Sequence, residues 1–352
     1  MSTTGIERVG FTCAYTPLAI VDAVGYAPYR ILPIGDHPDR AGGILHDNLC
    51  PHVKEVLNIA IAGDLPDLAG VVFVNSCDAM RRLADGWQRA RPKDRLETID
   101  LPVSDDDSAK RFLSIELERL MNVLCEWAGR RTDKTDLKKA VERFNSLCAV
   151  LEKIDRKIKT GQLGGGSGRM LDIYNRASRQ PIGESLDTFI KILQEPGAGH
   201  KENEGLPIYI FGNVLPDPGA IELFESCGAR IAGDDFCTGS RVFQPIEIGN
   251  LDDIYIELAA GLLERPPCAR TISCKDPGRI AREVIQSARD CGAKGVIGHT
   301  LKFCDPYLAR VPALREELKA ANIPFLFLEG DCSLRSMGQQ RTRIEAFIEM
   351  LR

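Results

Sequence analysis

Five of the twelve cysteines in this 352-residue chain stand at or just after the carboxyl end of a segment that reads as a β-strand. They are Cys13, Cys77, Cys237, Cys304 and Cys332; a sixth, Cys50, directly precedes a helix that opens with proline. In open parallel sheets ligands bind beyond the carboxyl ends of the strands, so all six could face one cleft. Three of them carry a further mark: "LCPH" at Cys50, "SCDAM" at Cys77 and "FCDPY" at Cys304 put Pro, Asp or Asp-Pro next, residues typical of a first helical turn. A cysteine at that point feels the positive end of the helix dipole, which lowers its pKa and favours the thiolate that iron and zinc bind. The spacing, 27 residues from Cys50 to Cys77 and 227 more to Cys304, excludes the clustered CxxC of a zinc finger or ferredoxin. Three thiolates gathered only by the fold would leave one position of a four-iron cluster open, which means chemistry at the iron and not electron storage alone. The competing reading of the same cysteines is as small residues at tight strand–helix turns.

The elements that must carry them have a βαβα rhythm. Residues 8–13, 28–32 and 70–75 are short apolar or β-branched runs, each followed by a helix-like segment at 17–24, 51–62 and 78–89. From 206 the rhythm returns, with strands at 207–212, 229–235, 294–299 and 324–331 and helices at 218–227, 252–263, 277–291, 306–321 and 337–351. Between these halves lie long amphipathic helices, so the expected division is an α/β domain over 1–104, a helical insert or linker over 105–205 and a second α/β domain over 206–352. The glycine-rich "GQLGGGSGR" at 161–169 has no strand before it and no lysine in the P-loop position, so it reads as a hinge or loop in preference to a phosphate cradle.

Composition narrows the partners. Forty-five basic against 50 acidic residues give a net charge of −5 with no basic tail or stripe, which argues against nucleic acid. No apolar run approaches the ~20 residues that cross a bilayer, and the N-terminus lacks a signal-peptide core, so the expectation is a cytoplasmic protein away from the membrane. There the cysteines would be thiols and not disulfides. Cys125 and Cys148 lie within amphipathic helices and read as core. Cys227 and Cys291 precede glycine at helix ends, a matching pair that suggests weak internal repetition. Cys268 and Cys274, in a loop, read as poor candidates.

The segments "FTCAYTPLAIVDAVGYAPYRI", "HDNLCPHVKEVL", "VNSCDAMRRLADGW", "GDDFCTGSR" and "IPFLFLEGDCSLRSMGQQRTRIEAFIEML" together resemble the 2-hydroxyacyl-CoA dehydratase family, which includes benzoyl-CoA reductase subunits and double-cubane cluster proteins. The resemblance runs from about Phe11 to Leu351 and is weakest over 105–205. It implies two Rossmann- or flavodoxin-like parallel-sheet domains joined by a helical segment, holding a [4Fe-4S] cluster through Cys50, Cys77 and Cys304. It also implies one-electron ketyl-radical chemistry on an acyl-CoA, an ATP-hydrolysing iron–sulfur activator, and a homologous partner subunit or homodimer. Two alternatives stay open. Cys13, Cys237 and Cys332 could complete six ligands for a double-cubane [8Fe-9S] cluster that reduces small molecules, or the chain could be a non-catalytic electron-transfer or partner subunit. Zinc, or no metal, is the blandest reading. Among weaker candidates, His46 and His299 could donate to cluster sulfur or move a proton, Glu329 and Asp331 could act as a general acid, and Arg81, Arg82 and Arg241 could meet phosphates. Each is matched by a structural alternative, as are Asp234 and Asp235, and the catalytic residues stay unassigned.

Overall fold

The computed structural model describes residues 5–35, 37–196, 205–272, 275–332 and 337–352. The amino-terminal half runs β1 (Arg8–Phe11), α1 (Leu18–Ala23), β2 (Ala27–Arg30), α2 (Pro51–Ala62), β3 (Gly70–Asn75), α3 (Asp78–Ala90) and β4 (Leu96–Asp100). Four helices follow: α4 (Asp107–Ala128), α5 (Lys134–Lys159), α6 (Gly166–Ala177) and α7 (Ile182–Leu193). The second half runs β5 (Leu206–Gly212), α8 (Pro218–Ser226), β6 (Ala229–Asp235), α9 (Ile254–Leu263), α10 (Arg279–Asp290), β7 (Gly295–Leu301), α11 (Asp305–Leu308), α12 (Val311–Ala320), β8 (Phe325–Gly330) and α13 (Met337–Met350).

The fold class is the expected one. Two four-stranded sheets, β2-β1-β3-β4 and β6-β5-β7-β8, are parallel throughout and share one topology. Helices cover both faces of each, as an all-parallel sheet requires. The period-two alternation of the strands does this: Val72 and Val74 of β3 join the cluster under α1, α4 and α5, whereas Val71 and Phe73 face α2 and α3. In β5, Ile208 and Ile210 pack towards α8 and α13, and Tyr209 and Phe211 towards α10 and α12. The segment expected as an insert is continuous with the first core: α4 to α7 share one apolar cluster with β1, α1 and β3, and α9 of the second half packs into it.

Three elements differ from expectation. β4 pairs along β3 from Val71↔Leu96 to Asn75↔Asp100, although "LETID" is half polar; it is an edge strand with little apolar pattern to show. The helix expected over 306–321 breaks into α11 and α12, because Pro312 has no N–H for the Leu308 carbonyl and starts a new helix instead. The glycine-rich run is not a loop to its end: α6 begins at Gly166 after Gly165 in the left-handed region (φ 102°). The Glu225 carboxylate accepts from Ser167 N at 2.8 Å at that helix start, where a phosphate cradle would have put its anion.

Gly212 ends β5 opposite His299 of β7. A Cβ there would collide with the His299 carbonyl, and the Gly212 carbonyl accepts from Tyr307 Oη at 3.0 Å. Gly212→Ala should therefore lower the melting temperature by several degrees; a change of about 2 °C or less, worth under about 1 kcal/mol, would show that the strands can part without cost.

Candidate metal centre

Each sheet has its topological switch point between its first and third strands, β1/β3 and β5/β7, and this is where chains diverge to opposite faces and leave a crevice. Cys13 follows β1 and Cys77 follows β3. Across from them Asn213 follows β5, and the turn after β7 leads into Cys304. Asn213 ties that second switch point together: Nδ2 donates to Thr300 Oγ1 at 3.0 Å, while Oδ1 accepts from Val214 N and Leu301 N.

The two crevices open on one cavity of about 100 Å³, several times the roughly 10–15 Å³ that a single water needs. Six cysteines line it: Cys13, Cys50 and Cys77 from the first half, and Cys237, Cys268 and Cys304 from the second. Arg30, His52, Arg270 and Tyr307 also line it, and no Asp or Glu is among the lining residues. Interactions between the halves hold the walls together. Arg30 Nη1 donates to the Cys237 carbonyl at 2.5 Å, Arg265 Nη1 to the Ala14 carbonyl at 3.1 Å, and the Tyr15 and Thr271 hydroxyls share a 2.9 Å hydrogen bond. Among the described residues no three Cys, His, Asp or Glu side chains close around a single metal ion; the thiols are spread round the cavity.

Cys50, Cys77 and Cys304 stand where the motifs place them, as the residues that cap α2, α3 and α11, with Pro51, Asp78 and Asp305 next. Their carbonyls start the helices, accepting from Val53 N, Arg81 N and Leu308 N. The turn that delivers Cys304 is strained: Phe303 has φ 58° and is exposed, an uncommon conformation for a bulky residue.

The expected thiolate character is overturned. Burial pushes the Cys50, Cys77 and Cys304 thiols up, Cys77 to about 11, and outweighs the backbone N–H groups that favour the anion. Without a metal these side chains are neutral thiols, so loading must displace their protons. Cys237 alone moves the other way: it accepts a hydrogen bond from the Cys268 thiol, and Arg241, with Nη1 at 3.1 Å from Sγ, and Arg30 add to the effect.

Other expected residues fall elsewhere. Cys332 is buried with Val214 and Leu301 in a small cluster against which Cys50 and Cys237 pack, and is not among the lining residues. Cys274 lies outside the described residues. Arg241 is neither a surface arginine nor free for phosphate: it is 1% exposed and grips Asp235 with two hydrogen bonds of 2.6 and 2.7 Å. Arg81 and Arg82 are exposed on α3, with Arg82 paired to Asp78 and Asp85. Asp234 holds the turn at Ser240, and Glu329 is exposed. His46 is exposed, its Nδ1 accepting from Asn48 N. His299 is buried beside Phe236, outside the cavity lining. Sequence reasoning passed over Cys268, Arg30 and His52. Cys268 marks no strand end, but the arginine inside the apolar run "PYRIL" was a visible signal.

A family model described as "2-hydroxyglutaryl-CoA dehydratase, D-component" matches residues 13–351. The chain belongs to this dehydratase family. Its relatives include the (R)-phenyllactyl-CoA dehydratase beta subunit of Clostridium sporogenes, 21% identical over 100% of this chain and 93% of that one. The lactoyl-CoA dehydratase subunit beta of Anaerotignum propionicum is 23% identical over 99% and 92%. One of the benzoyl-CoA reductase subunits of Thauera aromatica is 22% identical over 90% and 84%. Dehydratase-family membership bears out the resemblance read from the motifs, and it makes this chain a component of a dehydratase- or reductase-type enzyme. Among the described residues no helix is long and apolar enough to cross a membrane.

Burial holds His299 neutral, with its pKa down at about 4, while Asp331 opposes this only in part. The unfolded chain takes up that proton below about 6.5 and the folded chain does not, so stability is full above pH 6.5 and is lost as the pH falls towards 4. The loss from this group is on the order of 3 kcal/mol. Melting followed from pH 7 to 4 should fall more steeply in the native chain than in His299→Leu, and parallel curves would contradict the assignment.

Proposed function

We propose that this chain is the iron–sulfur subunit of an acyl-CoA dehydratase or reductase, with the cluster in the cysteine-lined cavity between the two sheets and Cys50, Cys77 and Cys304 as its ligands. The observation that carries this is six thiols from both halves around one cavity that also holds a buried guanidinium and, among the described residues, no carboxylate. Arg30 Nε and Nη2, and both ring nitrogens of His52, have no hydrogen-bond partner among the described residues. Donors left over on a buried cation, beside thiols that can become thiolates, suit an anionic group. A mononuclear site would want its ligands close around one ion, whereas a cluster takes each thiolate on a different iron.

A [4Fe-4S] cluster so held would supply one-electron chemistry at its open iron, on an acyl-CoA-type substrate, with the electron from an ATP-hydrolysing activator and with a homologous subunit or second copy alongside. The chain's own part is to position and exclude. Cys50, Cys77 and Cys304 anchor from three helix starts, the largely apolar lining keeps bulk water out, and Asn213 and Tyr307 fix the strand ends beneath.

The six-cysteine lining also favours a second reading, a double-cubane [8Fe-9S] cluster. On this geometry the added ligands would be Cys13, Cys237 and Cys268, and not Cys332, which lies behind the wall.

Anaerobic purification of the full chain with iron and sulfide counted, and the reduced state read by EPR, tests both. About four irons per chain supports one cubane, about eight the double cubane, and none ends both readings. Cys77→Ala should lose or degrade the cluster while leaving a folded chain, and unchanged iron in that variant would remove Cys77 from the site. Cys268→Ala separates the readings: it should leave a single cubane intact and deplete a double one.

A further inference from the structure

Arg30 closes β2 and is as buried as any core residue, 2% exposed. Its guanidinium lies over the Phe11 ring at 5.9 Å, and Nη1 donates to the Cys237 carbonyl. Arg241, at 1% exposed, shows what such burial normally demands: a carboxylate gripped through two hydrogen bonds. Among the described residues Arg30 has no such partner. Among the described residues no carboxylate lines the cavity, the Arg241 charge is already answered by Asp235, and the other lining cation, Arg270, adds to the positive field. Burial lowers the pKa of Arg30 only to about 10, so it stays charged at neutral pH. Of its N–H donors, those on Nε and Nη2 have no acceptor among the described residues. Around it, the Cys237 and Cys13 thiols favour its charge and the Arg179 and Arg241 guanidiniums oppose it.

We infer that Arg30 is the fixed counter-charge and hydrogen-bond donor for the anionic cluster that this cavity holds: a positioning residue that retains the cluster and raises its reduction potential, and not a ligand. The inference rests on the proposed cluster. A cation beside a cluster favours the state with one more electron, so its removal moves the equilibrium towards the oxidised state. In the metal-free chain no described carboxylate answers the same charge, only the Cys237 thiol that it helps to draw towards the anion, and there an apolar side chain of similar length is the better tenant.

The test compares the native full chain with Arg30→Met and Arg30→Lys, each with and without reconstituted iron and sulfide. Metal-free Arg30→Met should melt above the metal-free native chain, and the order should reverse after reconstitution. The Met variant should lose iron faster to a chelator, and its reduced-to-oxidised ratio at a set potential should fall about tenfold, which is about 59 mV for one electron. Arg30→Lys keeps the charge and should hold the potential near the native value while retaining iron less well, because it lacks the planar fork. If Arg30→Met does not fold, the Lys variant and Arg30→Gln carry the same comparison, with Lys expected to follow the native chain in potential and Gln to fall below it. A potential and iron retention unchanged in the neutral variants, in a native chain that does hold iron, would overturn the role of Arg30 and leave the cluster standing. Melting lowered equally in both states with the potential unmoved would make Arg30 merely structural. A native chain that takes up no iron would overturn the cluster and this inference together.

Discussion

A parallel strand can return to its sheet only by a crossover, so every strand releases the chain at the same edge, and whatever residues follow the strands are gathered there. This constraint governs the whole molecule. Two sheets with one topology release their chains towards each other, and the six cysteines that line the cavity are separated by as much as 291 residues, Cys13 to Cys304; strand direction brings Cys13, Cys77, Cys237 and Cys304 there, and Cys50 and Cys268 reach it from connecting segments. Three come from each half. Cys77 and Cys304 hold equivalent places, each capping a helix after the third strand of its sheet.

The electrostatics of the meeting place follow from its burial. Helix starts oriented towards the cavity would draw thiols to thiolates at a surface, but desolvation wins here for the three helix-start cysteines, and only Cys237, beside Arg241 and a donating thiol, goes the other way. The helix starts fix where these sulfurs stand but not their charge, because exposure cannot be read from a motif of five residues. The balance changes when a metal supplies the positive charge: the backbone N–H groups at α2 and α3 then face sulfurs that have become anions, and the geometry that was insufficient to deprotonate them helps to hold them.

What could be read from the sequence was whatever had a local signature. Cys50, Cys77 and Cys304 sit at strand–helix boundaries with helix-starting residues after them, and both α/β halves announce themselves through short apolar runs and amphipathic helices. Cys268 has no such mark; it lies in an irregular stretch between α9 and α10, held by Tyr15 Oη, which accepts from its N–H at 3.3 Å from the other end of the chain. Cys332 has the right boundary but the wrong direction, turned into a cluster with Val214 and Leu301. β4 escaped because an edge strand needs little apolar pattern, and the glycine run because a carboxylate 58 residues away in sequence, Glu225, completes its helix start. Local chemistry placed the boundaries; contacts between distant segments decided which side chains face the cavity.

Those distant contacts are also what keeps the cavity a cavity. Arg30 reaches from β2 to the Cys237 carbonyl and Arg265 from the end of α9 to the Ala14 carbonyl, and the Tyr15 and Thr271 hydroxyls join, so that each wall is fastened to the opposite half close to a cysteine. The cysteines do not have to draw the halves together, because packing of α9 into the first core has already done so. A group held by thiols from both sides therefore finds them pre-positioned, and the ordering entropy that a site on two loosely tethered domains would lose on binding has been absorbed in folding. The same pre-positioning fixes what the site can tolerate: with Arg30 and Arg270 and no carboxylate among its described lining residues, its fixed charge is positive, and the fold confines that charge to the junction of the two switch points.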